Sequence, residues 1–214
     1  ALAENNLFFD DLVWQSVGEA FRRAQKVLPE RADFVLAYFQ RIYLSNVYFF
    51  RCMIEVLGGL LDCSDPRRTS LLGFSILYGY MLQVINDYAD FAYSDKPEER
   101  EKLKTSAKST TDFFSDLYNF NITLPLLYHL KEGARRNIEA YLEGGIKRKK
   151  ILALYPRQIM NEIVRSGGID AAIKLSREFS KSAVSHLDED NPAAPYLMDM
   201  CAVAMFNKFY KIFK

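Results

Sequence analysis

Gly79-Tyr80-Met81-Leu82-Gln83-Val84-Ile85-Asn86-Asp87-Tyr88-Ala89-Asp90 closes a long apolar run that begins at Leu71. At 100° per residue, Gln83, Asp87 and Asp90 fall within about 60° of one another on a helix, with Asn86 roughly 60° to one side of Gln83. An otherwise apolar helix thus carries two carboxylates and two carboxamides near one face. Ionised carboxylates at the end of such a helix are costly unless a cation or a donor compensates them. Oxygen ligands one helical turn apart suit Mg²⁺, which keeps several waters and bridges to phosphate. On the residues alone, a helix end that simply reaches water remains equally open.

Around this stretch the chain reads as helix after helix. Residues 5–27 carry Leu7, Phe8, Leu12, Val17 and Phe21 near helical spacing. A densely apolar segment, 30–62, follows Pro29, with Gly58-Gly59 reading as a close approach or a bend. The turn Asp62-Cys63-Ser64-Asp65-Pro66 places a proline in the first turn of the helix 67–92. Residues 94–111, rich in Lys, Glu, Ser and Thr, read as an exposed connection after the acidic face, where a lid would sit. Pro125 starts or kinks a helix within 112–130. Tyr155–Arg165 is expected to be helical and to stop at Ser166-Gly167-Gly168, with further helices over 169–187 and 196–214.

Composition bounds the function. With 214 residues, half of them hydrophobic, the chain suits a single helical domain spanning 1–214. A net charge of +1 gives no broad electrostatic reason to bind nucleic acid. The run Lys147-Arg148-Lys149-Lys150 reads first as a solvated helix end. Arg51, Glu55 and Gln83 interrupt the most apolar helices, so no stable membrane insertion is expected. Cys52, Cys63 and Cys201 lack metal-ligand spacing and read as reduced thiols of a cytoplasmic protein. His129 and His186 have no partner in sequence that suggests a catalytic dyad. Asp10-Asp11 reads as structural, because Trp14 stands where a third acid would be needed.

Three motifs in order, Gly79…Gln83-Val-Ile-Asn-Asp-Tyr-Ala-Asp90, Asp116-Leu117…Thr123-Leu124-Pro125 and Val164-Arg165-Ser166-Gly167-Gly168-Ile169, resemble those of the trans-polyprenyl diphosphate synthases. That family carries G-x-x-F-Q-x-x-D-D-x-x-D, then D-L-x-x-G-K-x-T-L-P, then an S-G-G-I junction. The resemblance implies an all-α bundle around a central cavity and Mg²⁺-dependent transfer of an allylic prenyl group onto isopentenyl diphosphate. It further implies Asp87, Asp90 and Asn86 as metal ligands, with Gln83 and Asp87 at the catalytic centre. Arg51 and Lys108 become diphosphate contacts, joined by Gln83. The partners it implies are the allylic and isopentenyl diphosphates and a second subunit, in a homodimer or heterodimer formed through 34–61 and 71–85.

Departures from the pattern are specific. Asn86 replaces the first aspartate, Leu82 the phenylalanine, and Phe120-Asn121 the glycine-lysine pair. No D-D-x-x-D with paired arginines precedes Arg51, so either further sequence ahead of Ala1 or a degenerate member of the family is expected. The alternative function is a non-catalytic or regulatory subunit of a heteromeric prenyl diphosphate synthase.

Overall fold

The central element is a helix that is apolar on every side. In the computed structural model, Gly73 through Met81 are consecutively buried, a pattern possible only for a helix surrounded by others. The structure describes residues 11–27, 29, 32–89, 121–133, 162–188 and 190–212. Regular structure among them is helical throughout, without a strand. We number the helices α1 (Asp11–Val27), α2 (Ala32–Ile42), α3 (Tyr48–Leu60), α4 (Asp65–Ala89), α5 (Leu124–Gly133), α6 (Gly168–Val184) and α7 (Ala194–Ile212). The all-α expectation is met. The loop 94–111, the Asp116-Leu117 pair and the basic run 147–150 lie outside the described residues.

Chain chemistry explains the boundaries. Pro66 sits in the first turn of α4, where its missing N–H costs nothing. Thr123 caps α5, its hydroxyl accepting from the Leu126 N–H at 3.4 Å, while Pro125 occupies the first turn. Gly167 enters α6 with φ of 78°, a left-handed conformation that favours glycine. α2 and α3 form one continuous helical run joined by a π-helical turn, Tyr43–Val47, in which the Tyr48 N–H reaches back to the Tyr43 carbonyl.

α4 packs against α1, α2, α3, α5, α6 and α7. Phe39, Tyr80 and Phe179 connect α2, α4 and α6 through ring contacts of 5.7 Å, and the Tyr80 hydroxyl donates to the Phe39 carbonyl at 3.2 Å. Phe21 on α1 meets Phe39 edge-on at 5.5 Å. Outside this core, Arg23 on α1 pairs with Glu178 on α6 at 2.6 Å. α3 differs from the rest: none of its residues is buried. Leu44, Tyr48, Phe49, Met53, Val56, Leu57, Leu60 and Leu61 are exposed, whereas Phe74–Met81 of α4 are enclosed within the chain. Of the two segments expected to meet a second subunit, 34–61 exposes large apolar side chains in its second half, whereas Phe74–Met81 within 71–85 is enclosed; Tyr196, Met198, Met200 and Val203 on α7 are exposed as well.

Candidate functional site

Among the described residues, Asp87 is the one buried carboxylate, and its surroundings are built for it. It stands in the last turn of α4, with a side chain that has no exposure at all. Arg41 on α2 donates from Nη2 to Asp87 Oδ2 at 2.8 Å. Gln83, one turn earlier on α4, donates from Nε2 to Asp87 Oδ1 at 2.7 Å. Asn46, in the π-helical turn, in turn donates from Nδ2 to Gln83 Oε1. The result is a chain of donors, Asn46 to Gln83 to Asp87, met from the other side by a guanidinium.

Helix geometry explains how the continuous run of α2 and the π turn supplies both Arg41 and Asn46. On an α-helix, residues five apart lie about 140° apart. The π turn adds a residue to the revolution, bringing Asn46 back towards the face that carries Arg41. Gly79 makes the approach possible: a Cβ there would lie 3.0 Å from the Val47 Cα. α4 thus lies against the π turn at the distance Gln83 needs to reach Asn46.

The electrostatics follow from burial. Tyr38, with no exposure, lies beneath Arg41, whose guanidinium carbon is 5.8 Å from the ring centroid. Burial, then the nearby Asp87 charge, hold the Tyr38 phenol well above its ordinary pKa. Arg41 itself keeps about a quarter of its side chain exposed, 26%. The pair therefore runs from a dry carboxylate out to a partly wet cation.

Of the residues singled out in the sequence, Gln83 and Asp87 are in direct contact. Asn86 is exposed, while Asp90 and Lys108 lie outside the described residues. Arg51 is on α3, paired with Glu55 at 2.9 Å and within 3.5 Å of the Tyr43 hydroxyl. The cation on Asp87 is Arg41, which sequence reasoning passed over. The available signal was that a buried carboxylate demands a cation from a neighbouring helix. Arg51, the cation the resemblance pointed to, is instead paired with Glu55 on its own helix.

As placed, the described residues around Asp87 do not fit Mg²⁺, and Asp90 lies outside them. Each Asp87 oxygen already accepts a hydrogen bond, the adjoining positive charge is a guanidinium, and the Gln83 carbonyl oxygen is taken by Asn46. Among the described residues no three His, Cys, Asp or Glu side chains come together as a metal cluster.

The other two motifs also meet. A Cβ on Gly168 would lie 2.6 Å from the Pro125 Cα and 2.9 Å from the Tyr128 Cβ, so the junction before α6 seats directly on the start of α5. α4, α5 and α6 pack pairwise against one another. Beside this junction is a cleft of about 150 Å³, lined by Ala20, Arg23, Ala24, Val27, Leu124, Tyr128, Ala171, Lys174, Leu175 and Glu178. Comparison of the chain with protein-family models, with curated proteins and with solved structures finds no match.

Proposed function

We propose that this chain is a prenyltransferase domain that joins an allylic diphosphate to isopentenyl diphosphate. What supports this reading is that the helices carrying the described parts of the three resemblance motifs pack against one another. Gln83 and Asp87 end the central helix, and the helices that begin at Leu124-Pro125 and Gly168 pack against that helix and against each other. In the reaction, the allylic C–O bond breaks to leave an allylic cation and diphosphate. The isopentenyl double bond attacks that cation, and loss of a proton from the adjacent carbon restores an alkene. Leaving-group charge must be met by fixed positive groups. Arg41, held by Asp87 and partly exposed, is the described side chain suited to that task. No step is assigned to Mg²⁺, because Asp87 as placed is engaged with Arg41. The three free thiols are in keeping with the cytoplasm, and among the described residues no helix is long and apolar enough to cross a membrane.

The test is incorporation of radiolabelled isopentenyl diphosphate into an allylic diphosphate, with and without added Mg²⁺. Chain-extended product is expected. Absence of product under both conditions, with a folded chain, overturns the reading.

A second reading is favoured by α3. A helix without a buried residue and with a file of exposed large apolar side chains suits a partner surface. On this reading the chain is a regulatory subunit. It would be inactive alone and would raise the activity of an active synthase bound through α3.

A further inference from the structure

We propose that the cleft between α1, α5 and α6 is a binding site for a small monocarboxylate whose apolar body is about the size of a benzene ring. The inference does not rest on the reading of Asp87, which is on α4 and is not part of the cleft lining.

The cleft exists because two helices with shared neighbours are held apart. α1 packs on α2, α4 and α5, while α6 packs on α4, α5 and α7. Ala20, Ala24 and Val27 of α1 form one wall, and Ala171 and Leu175 of α6 another, each set spaced by three or four residues and so on one side of its helix. The alanines are too short to close the gap, and Leu124 of α5 adds a further apolar surface. About 150 Å³ is left. An apolar cavity of about that size accommodates a benzene ring.

The polar part of the lining selects the head group. Arg23 reaches Glu178 through two contacts, Nη1 to Oε1 at 3.3 Å and Nη2 to Oε2 at 2.6 Å, so those two charges offset each other. Lys174, one turn before Glu178 on α6, is exposed and makes no ion pair among the described residues. Tyr128 adds no charge, because burial raises its phenol above the usual 10.0. Two cations and one carboxylate therefore line the cleft, a surplus of one positive charge. A monoanion balances it. An ammonium would meet the surplus cation, and a diphosphate, with its several negative charges, would overshoot the balance and face Glu178. Lys174 carries its charge on a flexible stem, which suits it to follow a carboxylate whose hydrocarbon part fills the space beside the alanines.

The experiment titrates benzoate into the full chain and follows it by saturation-transfer NMR, with circular dichroism recorded on every variant. Benzoate should bind saturably to the parent. Lys174→Gln should weaken that binding about fivefold, the worth of one exposed charge contact. Ala171→Leu, which puts a bulky side chain into the lining, should abolish it. Benzylamine, the same ring with a cationic head, should not displace benzoate, and inorganic diphosphate should displace it less well than unlabelled benzoate does. Absence of saturable binding to the parent overturns the proposal, as does undiminished affinity in Lys174→Gln or in Ala171→Leu. Displacement by benzylamine, or by diphosphate more strongly than by benzoate, overturns the choice of a monocarboxylate and with it the proposal. Should Ala171→Leu lose helicity, Val27→Phe blocks the opposite wall and is held to the same outcome. Lys174 is exposed, so its variant keeps the fold and remains decisive in either case.

Discussion

Gly168 sits on Pro125 so closely that an added Cβ would come within 2.6 Å of the proline Cα. Both residues are backbone-defined, one by its missing side chain and the other by its ring, so neither can give way by a rotamer change. Gly168→Ala is therefore expected to destabilise the fold by about 1–3 kcal/mol, the usual range for overpacking against an unyielding neighbour. Urea unfolding followed by circular dichroism checks this, and an unchanged midpoint would contradict the contact.

Asp87 and Arg41 offer a sharper test of the interior. Removing one member of a buried pair strands the other charge and typically costs about 3–5 kcal/mol, whereas replacing both by apolar groups of similar size is often near neutral. Asp87→Leu should thus lose several kcal/mol, towards the lower end because Arg41 can turn its exposed portion to water. Arg41→Met combined with Asp87→Leu should recover most of the loss. A double variant no more stable than Asp87→Leu would show that the pair is not what the carboxylate depends on.

His129, on α5, is buried with 3% exposure, and burial lowers its pKa from 6.5. A lowered histidine pKa means the unfolded chain takes up the proton more readily than the folded one. Its contribution to stability is therefore intact above pH 6.5 and declines as the pH falls from 6.5 towards the lower folded value. Denaturation midpoints across that interval should fall on acidification, and His129→Gln should flatten the slope. An identical slope in the variant would remove His129 as the cause.

The thiols should separate by reactivity. Cys201 is 2% exposed and burial pushes its thiol up to about 11, while Cys52 and Cys63 are half-buried. Since the thiolate is the reactive form, a maleimide at pH 7.5 should label Cys52 and Cys63 in the folded chain and Cys201 only after unfolding. Mass spectrometry of labelled peptides reads this out directly.

On α3, Val56 and Leu60 are 61% and 75% exposed. If this face joins two subunits, replacing both by glutamate should shift the sedimentation coefficient from dimer to monomer at micromolar concentration. Circular dichroism of the variant should be unchanged, since neither side chain belongs to the core. A parent chain that sediments as a monomer would instead leave α3 for a different protein.

The helices were legible in the sequence where periodicity and end signals agreed. Pro66 opens α4, Thr123 and Pro125 open α5, and Ser166-Gly167-Gly168 marks the break before α6. The all-round apolar character of α4 was readable too, but in the sequence it reads as a surface for a second subunit, whereas the other helices of the same chain enclose Phe74 to Met81. The environment of Asp87 was half legible. Gln83 is one turn away on the same helix, so spacing alone brought the two together. Arg41 lies 46 residues away in sequence, on a helix whose register shifts at the π turn. Nothing in the residues Tyr43 to Val47 announces that shift: the extra residue is stabilised by tertiary packing, including the close seat offered by Gly79, and not by a local turn signal.

That single wide turn makes the site sensitive to length and not only to side-chain identity. Deleting one residue between Tyr43 and Val47 would let the run from Ala32 to Leu60 wind as an uninterrupted α-helix. Everything on one side of the deletion would then rotate by about 100° against the other. If Arg41 stayed on Asp87, α3 would swing its apolar file to a new bearing; if α3 kept its bearing, Arg41 would leave the carboxylate. The turn works as a gear with one extra tooth, letting a single helix serve a polar interior at one end and present an oily flank outward at the other.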